Sequence, residues 1–199
     1  MRVLIVGTNG DVGKAAVAEL GKRHEVITAG RATGDIRVDL LDAASIAAMF
    51  AGVGKIDAVV ACAGHAYYGP LATMTQDQFM MGLKDKLMGQ VNLVLQGTRF
   101  VNDRGSFTLT SGVLDRDPIL KGVNGATVNA ALKGFVASAA IEIERGIRIN
   151  VVSPGLLQSS SKKYEGLFPG HETVSSERVG LAYAKSVEGA ITGQVIIIA

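Results

Sequence analysis

Four aliphatic residues, Val3-Leu4-Ile5-Val6, run straight into Gly7-Thr8-Asn9-Gly10-Asp11-Val12-Gly13. Beyond the turn the pattern is helical, with Gly13, Ala16, Val17 and Leu20 recurring at i, i+3, i+4 and i+7. A buried strand that turns on glycines into a helix lying back against it leaves few architectures open. Gly7 permits the tight turn, Gly10 lets another group approach the backbone, and Gly13 lets helix and strand pack closely. A helix that starts here points its free N–H groups and positive dipole end into the turn, where an anion is favoured.

The rest of the chain repeats the alternation. Strands are predicted at Arg2–Val6, Glu25–Ala29, Ile36–Asp39, Ala58–Ala61, Ser106–Thr110, Arg148–Val152 and Gln194–Ile198. They are β-branched and nearly continuous in hydrophobicity, as strands covered on both faces should be. Helices are predicted over Ala43–Phe50 behind a capping Asp42, over Gln76–Val101 with interruptions at Gly82 and Gly89, and over Ala126–Ile143. The expected fold is α/β, a Rossmann-like doubly wound parallel sheet with helices on both faces in three layers. The expected domain is a single one spanning 1–199. Gln158–Thr173, rich in serine and carrying Pro169 and Gly170, is expected to be a surface loop over the site.

Composition excludes several functions. A net charge of +2 without basic runs gives no electrostatic case for nucleic acid, and 5% aromatic residues offer little for base stacking. Cys62 is the only cysteine, so neither an internal disulfide nor a cysteine-rich metal site is expected. The four-residue N-terminal apolar run is too short for a signal peptide or a membrane span. These features point to a soluble protein of a reducing compartment, the cytoplasm, with no membrane partner.

The glycine turn is followed, in order, by Asp39-Leu40, Cys62-Ala63-Gly64, Ser111, Gly134-Phe135, Asn150-Val151-Val152-Ser153-Pro154-Gly155 and Thr192-Gly193. That ordered set resembles the short-chain dehydrogenase/reductase family along essentially the whole chain. The resemblance implies a nicotinamide dinucleotide cofactor. The main chain at Thr8, Asn9, Gly10, Asp11 and Val12 would line its pyrophosphate. Asp39-Leu40 would touch adenine, Cys62, Ala63 and Gly64 would pass close to a ribose, and Pro154-Gly155 would lie beside the nicotinamide. NAD-preferring relatives place an acid at the end of the second strand; this chain has Gly30-Arg31. Arg31 would attract a 2′-phosphate, with Lys14 adding charge nearby, so NADP(H) is expected over NAD(H), which remains possible.

The catalytic pattern breaks. The family uses a serine, a tyrosine and a lysine, supported by an asparagine one helix earlier; the lysine lowers the tyrosine pKa and holds the ribose. Ser111 in Leu109-Thr110-Ser111-Gly112 matches the serine that orients the carbonyl. The gap after Ser111 and the run Ala130-Ala131-Leu132-Lys133-Gly134-Phe135 both put the tyrosine at Gly125 and the lysine at Asn129. Pairing Asn129 with Lys133 instead still supplies no tyrosine. Aligning Phe79 and Gly89 with family landmarks puts Lys86 where the asparagine belongs; on this reading the two residue types have exchanged helices as Lys86 and Asn129. The other reading makes Lys86 a solvated helix lysine and Asn92 the counterpart. Tyr68 or Tyr67 near Lys86 could rebuild an acid pair, or both could be packing tyrosines. His65 has a suitable pKa but stands alone in a loop, and Tyr164 would be a substrate contact.

Two functions fit: an NADP(H)-dependent reductase of a small carbonyl compound, and an NADP(H)-binding sensor or interaction protein without turnover. Catalytic candidates are Ser111, Lys86 and Tyr68. The short lid, Leu156 to Glu172, argues for a small substrate. Helices matching Asp85–Val101 and Ala126–Ile143 pair across a twofold axis in relatives, so a homodimer, or a homotetramer built from it, is expected.

Overall fold

Alternation along the first strand sets the layers. β1 (Arg2–Val6) sends Val3 and Ile5 to one face of the sheet and Leu4 and Val6 to the other, all four buried. The computed structural model describes residues 1–199 and repeats this two-sided burial in the central strands. The others are β2 (Glu25–Gly30), β3 (Ile36–Arg37), β4 (Ile56–Ala61), β5 (Val101–Thr110), β6 (Arg148–Pro154), β7 (Leu156–Leu157), β8 (Thr173–Val174) and β9 (Val195–Ile198). Seven form one parallel sheet in the order β3-β2-β1-β4-β5-β6-β9, while β7 and β8 pair separately. The strand order reverses at β1 and β4, which opens a crevice beyond their C-terminal ends.

Helices cover both faces. α1 (Asp11–Leu20) and α6 (Ser176–Glu188) bury Ala16, Leu20, Val179 and Tyr183 against Val3, Ile5, Val60 and Val152. On the opposite face α2 (Ala43–Val53), α4 (Gly89–Gly97) and α5 (Val123–Glu142) bury Phe50, Leu93, Leu132 and Val136 against Leu4, Val59, Phe107 and Leu109. α3 (Gln76–Gly82) starts at a capping box, with Thr75 Oγ1 accepting from Gln78 N while Gln78 Oε1 accepts from Thr75 N. No helix is long and apolar enough to cross a membrane.

All seven expected strands of the sheet form, though not with the expected ends. β3 stops at Arg37, and β5 begins at Val101, with an irregularity in its pairing to β4. The helical region therefore ends at Gly97. It is also not interrupted at Gly82 and Gly89, because the chain stays helical through both and winds Leu83–Met88 as a π turn. Those glycines serve close approach: a Cβ at Gly82 would lie 2.2 Å from Asn124 Oδ1, and one at Gly89 3.0 Å from Leu40 Cβ. α5 starts at Val123 rather than Ala126. The helix Ser176–Glu188 is not among the expected ones, although Ser175 caps it by accepting from Arg178 N and Val179, Tyr183 and Val187 recur on one face.

Gly13 is where α1 meets the turn: a Cβ there would lie 2.2 Å from the Gly7 carbonyl oxygen. Gly13→Ala should destabilise the protein by about 1–3 kcal/mol. An unchanged denaturation midpoint would contradict that packing account.

Candidate active site

The crevice at the strand ends holds two cavities that share Asn9, Gly10, Cys62, Lys163 and Tyr164. The first, about 400 Å³, lies over the glycine turn and the end of β2. Gly7, Thr8, Asn9 and Gly10 line it with Arg31, Asp39, Leu40, Cys62, Ala63 and Gly64. Gly7 turns at φ +91°, and a Cβ there would strike Ala63 at 2.7 Å. At Gly10 a Cβ would meet nothing, so the chain presents open backbone to the cavity. The turn is braced by Thr33 Oγ1, which donates to Asn9 Oδ1. Arg31 is exposed at the rim, while Lys14 lines neither cavity. The nearest acid in this loop, Asp35, is folded back: it accepts from Thr28 N and Thr28 Oγ1, both at 2.8 Å, which holds its carboxyl below the usual range.

The second cavity, about 410 Å³, gathers Asp11, Val12, Tyr68, Lys86, Ser111, Asn129, Pro154 and Gly155 under Ser160, Lys163, Tyr164 and Phe168 of the lid. The lid starts as a 3₁₀ run, Gln158–Tyr164, and Ser160 Oγ donates to Asp11 at the head of α1. Farther along, Phe168 stacks edge-on with Tyr164 and His171.

Lys86 is not a solvated helix lysine. It sits in the π turn, and its Nζ donates to the Ser111 carbonyl at 3.0 Å. Gly64, at φ +130°, lies so close that a Cβ would be 2.7 Å from Lys86 Cα. Burial pulls the ammonium pKa down to about 8 against the opposing charge of Asp115. Asn92 lines neither cavity.

Of the four tyrosines, Tyr68 is the one beside the missing phenol. A Cβ on Gly125 would come within 3.4 Å of the Tyr68 hydroxyl. Asn124, buried one residue earlier, accepts from Tyr67 N at 2.8 Å and donates to the Phe79 carbonyl at 2.6 Å, which ties the tyrosine loop to α3. Tyr68 remains 43% exposed, and burial of its ring with Tyr164 nearby raises its pKa. Tyr67 folds against Gly69 outside both cavities, and Tyr183 is sealed behind the sheet on Thr110 Oγ1 at 2.6 Å. His65 lies out in the first cavity, 3.3 Å from Asp85. Burial pushes the Cys62 thiol up to about 12, so it stays protonated at neutral pH.

Asn129, at the position of the family's lysine, donates its Nδ2 to the Gly112 carbonyl at 3.3 Å, while its Oδ1 is buried without a partner. A buried, unpaired acceptor in this wall fits a hydroxyl donor such as a cofactor ribose. Two polar residues went unread in the sequence. Gln90 is buried on α4 and clamps Thr110, and the Asp115 side chain is buried beside Ser111. Neither belongs to a local motif: the fold brings Gln90 to the end of β5, and the 3₁₀ turn after β5 folds Asp115 back onto Ser111.

The family model described as Enoyl-(Acyl carrier protein) reductase matches residues 1–196. The chain belongs to the short-chain dehydrogenase/reductase family. The protein lin1944 of Listeria innocua is 45% identical, with a TM-score of 0.99 and full coverage of both chains. A small-chain dehydrogenase solved in complex with NADPH is 25% identical, with a TM-score of 0.87 over 100% of this chain and 96% of that one. The short-chain dehydrogenase/reductase ucsE of Acremonium sp. is 30% identical over 54% of this chain, and that match spans 42% of its own length.

A lysine whose folded pKa is near 8 against an ordinary 10.5 destabilises the native state while it is charged. The unfolded chain binds the extra proton between those values, so the penalty is full below about pH 8 and fades as pH rises toward 10.5. Lys86→Met should therefore be more stable than the parent at neutral pH, by about 2–3 kcal/mol. The gap should narrow between pH 8 and 10 in denaturant titrations; a pH-independent gap would contradict the burial of this charge.

Proposed function

We propose that this short-chain dehydrogenase/reductase is an NADP(H)-dependent reductase of a small carbonyl compound, with Lys86 as proton donor in place of the family's tyrosine. The observation that carries the reading is the Lys86 ammonium, held 3.0 Å from the Ser111 carbonyl inside the cavity that Asn129, Pro154 and Gly155 also line. A group with a pKa near 8 is mostly charged at neutral pH yet gives up its proton readily.

The cofactor part rests on fit. The bare backbone at Gly10 leaves room for a pyrophosphate, and α1 directs its N-terminus at it. Asp39 and Leu40 line the adenine end, and the unpaired Asn129 Oδ1 suits the nicotinamide ribose. Arg31 at the rim, with Asp35 turned back on Thr28, favours a 2′-phosphate; the NADPH in one related structure supports the same choice.

NADPH held in the first cavity would supply the hydride to the carbonyl carbon. Lys86 Nζ would give its proton to the carbonyl oxygen as the C=O π pair moves onto it. The neutral amine then regains a proton from water. Tyr68, a phenol that burial keeps protonated well past neutral pH, can hydrogen-bond the same oxygen. The cavity of about 410 Å³ suits a small substrate.

An aldehyde and ketone screen with NADPH and NADH, with binding followed by calorimetry, tests the reading. Turnover should require NADPH, fall by about 10²–10⁴-fold in Lys86→Met, and survive in Tyr68→Phe. Arg31→Ala should weaken NADPH binding by about 1.5–3 kcal/mol. Turnover that collapses in Tyr68→Phe instead would transfer the donor role to that phenol. Tight NADPH binding with no turnover across the screen would favour the sensor reading.

A further inference from the structure

We propose that Asp115, a residue outside the family's catalytic set, is the positioning residue that keeps Lys86 charged and leaves it the donor to the substrate oxygen. The inference rests on the reading of Lys86 as the acid. Asp115 ends the 3₁₀ turn Val113–Asp115 that follows β5, and its carboxylate has no solvent exposure. One oxygen accepts from Ser111 Oγ and from Ser153 Oγ, both at 2.8 Å; the other accepts from Arg116 Nη1 at 3.1 Å. Arg116 Nη1 also donates to Ser153 Oγ at 2.5 Å, so each member of the cluster holds another.

Proton counting assigns the roles. A serine hydroxyl has one hydrogen to give. The neighbours of Ser111 Oγ are the Asp115 carboxylate and, at 3.1 Å, the Asn129 carbonyl, and both only accept. The Ser111 proton is thus committed inward, and the hydroxyl offers lone pairs to the cavity. The resemblance gave Ser111 the task of orienting a carbonyl by donation; this cluster removes it. Beneath the lid, which adds Lys163 and Tyr164, the donors left facing a substrate oxygen are the Lys86 ammonium and the Tyr68 phenol.

The same carboxylate acts on Lys86 through Ser111, whose backbone oxygen receives Nζ while its hydroxyl is held by Asp115. Other ionisable groups line the two cavities: Asp11 from α1, Arg31 after β2, Asp39 after β3, Cys62 and Tyr68 after β4, Lys163 and Tyr164 from the lid, and the His65–Asp85 pair. Asp115 is the charge that opposes the effect of burial on Lys86. A buried carboxylate close to a buried ammonium favours its charged form.

The test is the titration of Lys86 in protein carrying ¹³Cε-labelled lysine, with its resonance assigned by its loss in Lys86→Arg. The parent should titrate near 8. Asp115→Asn keeps the shape and removes the charge, and should lower that midpoint by about one unit; Asp115→Glu should restore most of it. Ser153→Ala removes a hydrogen bond but no charge and should leave the midpoint in place. An unchanged midpoint in Asp115→Asn, or an equal shift in Ser153→Ala, would overturn the role given to Asp115. A parent midpoint at the ordinary lysine value would instead overturn the reading of Lys86 as the acid. If Asp115→Asn fails to fold, Asp115→Asn with Arg116→Gln is compared with Arg116→Gln alone, so that the cation is absent from both; the double variant should titrate lower, and an equal midpoint would overturn the role.

Discussion

Gln90 uses both ends of its amide on one residue. Its Nε2 donates to the Thr110 carbonyl at 2.9 Å and its Oε1 accepts the Thr110 N–H at 2.8 Å, with the side chain wholly buried. Two such bonds contribute about 1–3 kcal/mol net, but their larger effect is on register. They pin α4 to the end of β5 one residue before Ser111, so the two elements that supply Lys86 and Ser111 cannot slide past each other. Ahead of that pin the helix widens into the π turn, and Lys86 emerges against Gly64 with its ammonium under the Ser111 carbonyl. π turns inside longer helices are frequent at functional sites. Here the turn carries the charged group on which the chemistry depends.

The family site has been redistributed rather than simply emptied. Gly125 leaves a gap on α5, and the Tyr68 hydroxyl from the β4 loop stands beside it. Asn129 withdraws the charge that a lysine would have placed under the ribose and leaves an unpaired acceptor there. Lys86 brings a positive charge back from α4's side of the cavity, and the buried Asp115 holds it against the cost of burial. Each exchange conserves a hydrogen-bonding or charge requirement while changing the element that meets it. The native state bears the cost of that arrangement, as functional sites often do.

The layers of the fold were legible because its signals are local. The glycine turn at 7–13 and seven short apolar runs are enough to specify a parallel sheet, and every run became a strand. Local signals misled where packing decides. Gly82 and Gly89 read as helix interruptions, yet their purpose is to admit Asn124 and Leu40. Lys86 and Asn92 could not be told apart in sequence, because burial depends on the phase of the helix and the π turn shifts that phase. Asp115 and Gln90 carried no signal: an acid four residues after the serine and a glutamine in a helix are ordinary until the fold closes around them. Tyr68 was legible as a candidate because it follows Cys62-Ala63-Gly64-His65, a stretch that borders the substrate side in relatives.

The central claim is that Lys86 has taken over the face of the cavity where the family's phenol would act. A crystal structure with NADP⁺ bound tests it most directly. The account predicts the nicotinamide ring in the cavity with Pro154 and Gly155, its C4 facing the space between Lys86 Nζ and Tyr68, and a ribose hydroxyl on Asn129 Oδ1. A ring bound elsewhere, or a Lys86 side chain turned out of the cavity when the cofactor binds, would contradict it.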